Sequence, residues 1–111
     1  MLDILLLAEY PDAIAKVEKE IVNYKRIINE EKHSLSLLDI EIEQEVINSP
    51  SLYKNEAQRK LARLEKRGCP EYQEKEEEIK DLEYSLMFLE VEVRRLKNHF
   101  IVSRLTYEVI D

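Results

Sequence analysis

The sequence predicts an all-α fold: an antiparallel hairpin of two long helices (a coiled coil), a short third helix at its tip, and assembly into a helical bundle. Three observations predict it. Leu, Ile, Glu and Lys dominate the 111 residues, Gly68 is the lone glycine and Trp is missing, which is the composition of long-helix proteins. Two stretches repeat apolar residues every three and four positions, the period of a coiled-coil seam. Those stretches are nearly equal, about 37 and about 38 residues, as two full-length antiparallel helices require.

The chain reads as a single helical domain over 1–111. Residues 1–10 form a short apolar segment containing Leu2, Ile4, Leu5, Leu6, Leu7 and Tyr10. Pro11 and Asp12 then suit the first turn of a helix over 12–48. Counting from Ile14, the a positions are Ile14, Ile21, Ile28, Leu35 and Ile42. The d positions are Val17, Tyr24, Glu31, Leu38 and Glu45. The polar residues Glu31 and Glu45 at d fix register or mark places where the seam opens to water. Asn48-Ser49-Pro50 ends this helix.

Asn55 followed by Gln58 is a capping box, which opens a short helix over 55–67. Ala57, Leu61 and Leu64 give that helix one apolar stripe to bury. Gly68 suits the left-handed position after its last turn. Pro70 and Glu71 then start the last helix, over 71–109. Counting from Tyr72, its a positions are Tyr72, Ile79, Leu86, Val93, Phe100 and Tyr107. Its d positions are Lys75, Leu82, Leu89, Leu96, Ser103 and Ile110. From Ile79 to Phe100 every a and d residue is apolar, and about 40 residues of helix extend about 60 Å. Equal lengths place residues 1–10 beside the run Phe100 to Ile110, whose β-branched residues also suit a strand.

The seams leave large side chains over. Leu37, Ile40, Val46 and Ile47 on the first long helix lie off the a/d line. So do Phe88, Val91, Ile101, Val102, Leu105 and Val109 on the last. Each such side chain left in water forgoes about 1.5–3 kcal/mol. Contiguous apolar surface of this kind marks an interface, most simply a homodimer forming a four-helix bundle. Leu37, Ile40, Ile47, Phe88, Val91, Ile101 and Leu105 are the candidate oligomer contacts.

The net charge of −7 is unevenly spread. Residues 54–67 carry six basic side chains against two acids, and residues 71–92 carry nine acids against two lysines. Arg59, Arg63, Lys66 and Arg67 fall near one face of the short helix, with Lys60 beside them and Tyr53 and Tyr72 flanking. Cations on a surface bind phosphates in a salt-sensitive way, and bases stack on tyrosine rings. The competing reading is a solvated face paired with the acids between Glu74 and Glu83.

Catalytic chemistry finds no foothold. Glu30 and His33 form half of a di-metal carboxylate motif, but no second half follows and His33 lies opposite the seam. Cys69 has no nearby base to activate it, and it excludes an internal disulfide. No cofactor-binding, metal-binding or catalytic residue is expected. Asp3 and an apolar run of four residues, Ile4 to Leu7, match neither a signal peptide nor a membrane span. A soluble cytoplasmic protein is the expectation.

The segments Leu52-Tyr-Lys-Asn-Glu-Ala-Gln-Arg-Lys, Pro70-Glu-Tyr-Gln and Leu89 to Phe100 resemble a group of small uncharacterised helical-hairpin proteins of bacteria and phages. In that group a Lys-Asn-x-x-x-Arg stretch sits between two long helices. The resemblance covers residues 52–100, implies no catalytic residue, and draws attention to Tyr53, Lys54, Asn55, Gln58 and Arg59. The group is similar to small proteins encoded near recombination and replication functions. Two functions follow as expectations. One is a non-enzymatic oligomeric adaptor or regulator that binds itself and an unidentified protein. The other is an accessory protein of DNA recombination or replication that binds nucleic acid through Tyr53, Lys54, Asn55, Arg59, Lys60, Arg63, Lys66 and Arg67.

Overall fold

The computed structural model describes residues 6–110, and side chains as far as Thr106. The fold is an all-α helical hairpin, with no strand among the described residues. A single 3-10 turn, Leu7–Glu9, leads into α1, Tyr10–Ile47. The short helix α2 is Glu56–Arg67, and α3 is Pro70–Ile110. The stretch from Phe100 to Ile110 is helical throughout, so its β-branched residues follow the helix that precedes them. α1 begins before Pro11 because a proline in the first turn gives up only an N–H that has no helical partner anyway.

The described residues pack as two compact units. The first joins the chain up to Arg26 with the chain from Glu83 onward, and the second is Ile27–Leu82. In the first unit α1 and α3 run antiparallel. Tyr10 is buried, with its ring centroid 5.7 Å from that of Phe100, and Lys97 lies 3.7 Å from Glu18. Leu96 is buried, and Ile14, Val17, Ile21, Tyr24, Leu86, Leu89 and Val93 are half-buried along the same seam. Of the N-terminal apolar segment, Tyr10 reaches this core while Leu6 stands exposed. Leu2, Ile4 and Leu5, and the side chains of Tyr107, Val109 and Ile110, lie outside the described residues.

In the second unit Ile28 and Ile42 of α1 and Tyr72 and Ile79 of α3 are buried. Glu31 and Lys75, charged residues at d positions here, meet each other across the seam at 2.8 Å. Each half-buried charge therefore has its counterion. The Lys75 ammonium holds the Glu31 carboxyl below its ordinary range, and Glu31 in turn raises Lys75.

Two local expectations are corrected. Val46, placed off the seam by its heptad count, is 1% exposed, whereas Glu45 at d is outside and bonds Lys66 at 2.6 Å. The seam shifts because the last turns of α1 meet α2 as well as α3, so a second face of α1 is covered. Gly68 is not left-handed: its φ of −77° lies in the right-handed helical region. Its N–H reaches the carbonyls of Leu64 and Glu65 at 3.2 and 3.1 Å, continuing the turn. The break comes at Pro70, which lacks the N–H that a continuing helix needs and biases Cys69 toward extended backbone.

Burial at Val46 leads to a stability prediction. Val46→Ala should cost about 2 kcal/mol of unfolding free energy, from the lost transfer of two methyl groups plus the residual cavity. Leu64→Ala, on a side chain 60% exposed, should stay within about 0.5 kcal/mol. Urea denaturation of the two variants checks this, and equal losses would refute the packing described.

Candidate functional site

The strongest cluster of charge is where α2 meets α1, and the sequence of α2 sets it up. Asn55 is extended at the N-cap, and its Oδ1 accepts from the Gln58 N–H at 2.9 Å. The Gln58 side chain reaches back to the N–H of Lys54 at 2.8 Å, one residue beyond the usual capping-box partner. The Lys-Asn-Glu-Ala-Gln-Arg hexamer is thus a helix start, closed further by Arg59 on Glu56 at 3.3 Å.

Which face of α2 turns inward is the main departure from the sequence reading. Ala62 is buried, while Ala57, Leu61 and Leu64 face out. The basic face is the inner one. Arg63 grips Glu43 with two nitrogens, Nε at 2.7 Å and Nη2 at 2.9 Å, and reaches Glu56 at 3.0 Å. Lys66 bonds Glu45, and Arg67 bonds Asp39 at 2.9 Å. The counterions are therefore acids of α1 and the first turn of α2, not the run from Glu74 to Glu83. Arg59 is half-buried, and Lys54 and Lys60 are exposed.

The tyrosines behave differently from each other. Tyr72 is buried, and its hydroxyl lies 3.2 Å from each Asp39 oxygen, where it donates. Burial pushes its hydroxyl above the ordinary tyrosine range, and the Asp39 charge adds to this. A ring enclosed in this way is closed to a stacking base. Tyr53 is half-buried and lines an open groove of about 560 Å³ with Glu41, Gln44, Glu45, Asn48 and Lys66.

The ion pairs shift their members as paired charges should. The Arg63 guanidinium, then Arg59, holds the Glu56 carboxyl below its ordinary range. Glu45 raises Lys66, Asp39 raises Arg67, and Glu43 with Glu56 raises Arg63. A depressed carboxyl such as Glu56 contributes stability above its unfolded pKa and loses it as pH falls through the lower folded value. A raised ammonium such as Lys66 contributes below its unfolded pKa and loses it as pH climbs through the higher folded value. The attachment of α2 is therefore strongest between the carboxylate and ammonium ranges.

The candidate oligomer contacts are all on the surface. Phe88 is 65% exposed, and Leu37, Ile40, Ile47, Val91, Ile101 and Leu105 are exposed with it. Sequence reasoning missed other outward residues, among them Val22, Leu52, Leu61, Leu64, Tyr84 and Met87. For Leu61 and Leu64 the signal was the stripe on α2, read there as core. Among the described residues no group of three or more His, Cys, Asp or Glu is placed to hold a metal ion, and no helix is long and apolar enough to cross a membrane. Cys69 is exposed. Comparison with protein-family models, curated proteins and solved structures finds no match to this chain.

The ion pairs should be what holds α2 down. Replacing Asp39, Glu43 and Glu45 by Asn, Gln and Gln should speed tryptic cleavage after Arg63 and Arg67 several-fold at neutral pH. In the unaltered chain, amide exchange across α2 should lose protection as pH drops below the carboxylate range. Cleavage at the parent rate in the triple variant would show that α2 is held by other means.

Proposed function

We propose that this chain is a non-enzymatic helical adaptor or regulator that self-associates and works by binding protein surfaces. The observation that carries the reading is the row of exposed apolar side chains on α3, from Tyr84 to Leu105, on the side away from its seam with α1. Large apolar residues concentrated on one helix face are what a protein–protein contact buries. The lone cysteine fits a reducing setting.

The nucleic-acid reading is disfavoured by the same geometry that defines α2. Arg63, Lys66 and Arg67 would have to leave Glu43, Glu45 and Asp39 to reach a phosphate. Every pair broken sets one carboxylate against the incoming backbone. A chain of formal charge −7 adds long-range repulsion.

Sedimentation equilibrium at micromolar concentration tests the proposal. The expected mass is twice the 13.3 kDa of one chain. Phe88→Glu combined with Val91→Glu should return it to one chain with helix content unchanged, because both side chains are already in water and Glu is a good helix former. Single- and double-stranded DNA should show no binding to the parent at physiological salt. A 13.3 kDa species throughout, or salt-sensitive DNA binding that Arg59→Gln, Arg63→Gln and Arg67→Gln abolish, would overturn the reading.

A further inference from the structure

The exposed row on α3 has a heptad register of its own. Tyr84, Val91, Asn98 and Leu105 recur every seven residues, with Met87, Arg94 and Ile101 between them, and all seven are exposed. Residues of the inner seam, Leu86, Leu89, Val93, Leu96 and Phe100, are half-buried or buried, so the two rows occupy different faces. The outer row is already partly ordered: the rings of Tyr84 and Phe88 lie 6.4 Å apart, one helical turn from each other.

Charge along this part of α3 is fully segregated. Between residues 81 and 92 the charged side chains are Asp81, Glu83, Glu90 and Glu92. Between residues 94 and 104 they are Arg94, Arg95, Lys97 and Arg104. One half is acidic and the other basic, with the change between Glu92 and Arg94. Such a surface is complementary to itself in one direction. Two copies laid parallel would set acid against acid and base against base. Two copies laid antiparallel set each acidic half against a basic half.

We propose that the outer face of α3 is a self-complementary docking surface, occupied by α3 of a second copy in antiparallel orientation and centred near Glu92–Arg94. Seating knobs into holes in that orientation puts Tyr84 against Ile101 of the second copy. Glu83 and Glu90 then flank Arg104 and Lys97 of that copy, and Phe88 meets its Arg95, a cation over a ring face. The two-fold axis repeats each contact, as an isologous dimer requires. Leu105 and Tyr84 close the apolar ends. Asn98 and Arg94 interrupt the row near its middle, which holds the register against slippage.

The inference rests on the self-association proposed above and adds its orientation. Pulsed electron-spin distance measurements separate the two. In a Cys69→Ser background, spin labels are attached one at a time through Ser85→Cys, Glu92→Cys or Thr106→Cys. The antiparallel pair gives its shortest interlabel distance at position 92, a longer one at 85 and the longest at 106. Axial separation grows by about 3 Å for each residue from the centre, twice the helical rise. Equal distances at all three positions would mean parallel docking and overturn the orientation while leaving self-association standing. A single-chain mass with no dipolar coupling would overturn both, and would assign the face to a different protein.

Charge reversal gives a second readout. Glu83→Lys with Glu90→Lys sets cations against Arg104 and Lys97 of the second copy, and Lys97→Glu with Arg104→Glu sets anions against its Glu90 and Glu83. Each variant alone should dimerise about tenfold or more weakly than the parent, and an equimolar mixture should recover the affinity. Variants that dimerise as tightly as the parent would overturn the charge pairing.

Discussion

A helix offers one neighbour a stripe about 100° wide, and a pair of helices can therefore cover only one such stripe on each. The other features of this structure follow from that limit. The seam residues Ile28, Ile42, Tyr72, Ile79 and Leu96 take up the available burial. Side chains beyond the stripe, Phe88 and Ile101 among them, stay in water whatever their hydrophobicity. No rearrangement within an antiparallel pair brings both sets inside at once, since turning α3 to bury Phe88 would expose Leu96. Apolar surface on the far side is a consequence of the architecture, and the two-helix pair itself has no means of covering it.

The same limit explains the orientation of α2. Burying Leu61 and Leu64 would gain about 1.5–3 kcal/mol each. Yet the apolar stripe of α1 is already committed to α3, and the adjoining face presents Asp39, Glu43 and Glu45. Leucines set against those carboxylates would strip water from charges and offer them no hydrogen bond, which costs more than the burial returns. Turning the basic face inward satisfies every one of these acids. Single exposed ion pairs contribute little, about 0–1 kcal/mol. The bidentate Arg63–Glu43 contact and its neighbours form a connected set, in which Arg63 bridges Glu43 and Glu56 and Asp39 serves both Arg67 and Tyr72. Shared partners lower the entropy lost per bond, because one ordered side chain serves several contacts.

The long seams were legible in the sequence because their pattern is local. Apolar spacing places Ile14, Ile21, Ile28, Leu35 and Ile42 on one face before any partner is known. Glu31, with Glu45, was legible as a charged exception at d, and Lys75 at d of the other array proves to be the partner of Glu31. The capping residues Asn55 and Gln58 were legible for the same reason, as their bonds reach at most four residues. The inward face of α2 was not legible. Its helix is amphipathic in two senses, apolar on one side and cationic on another, and which side docks depends on the face that α1 has left. Val46 escaped the heptad count because it is covered where three helices meet, a contact between segments distant in sequence. Gly68 was assigned a left-handed turn from its residue type alone, whereas the proline two residues on already ends the helix.

For the candidate site, exposure of Phe88, Val91, Ile101 and Leu105 could be read from spacing, but the cations nominated on α2 could not be judged without knowing their counterions. The distinction is physical. An apolar residue off the seam has few ways to be covered within a two-helix pair, whereas an arginine can reach a carboxylate on any helix within the length of its side chain. The charges of α3 then bear on direction rather than strength. Rim ion pairs add little affinity, but like charges brought together along a whole interface are disfavoured in every register, and that penalty separates parallel from antiparallel docking. In the proposed dimer affinity comes from Tyr84, Phe88, Val91, Ile101 and Leu105, and orientation from the change of sign between Glu92 and Arg94. In that proposed dimer the polar residues in the middle of the row, Arg94 and Asn98, would weaken the contact there and fix its centre, so that one helix face would carry separate determinants of strength, direction and register.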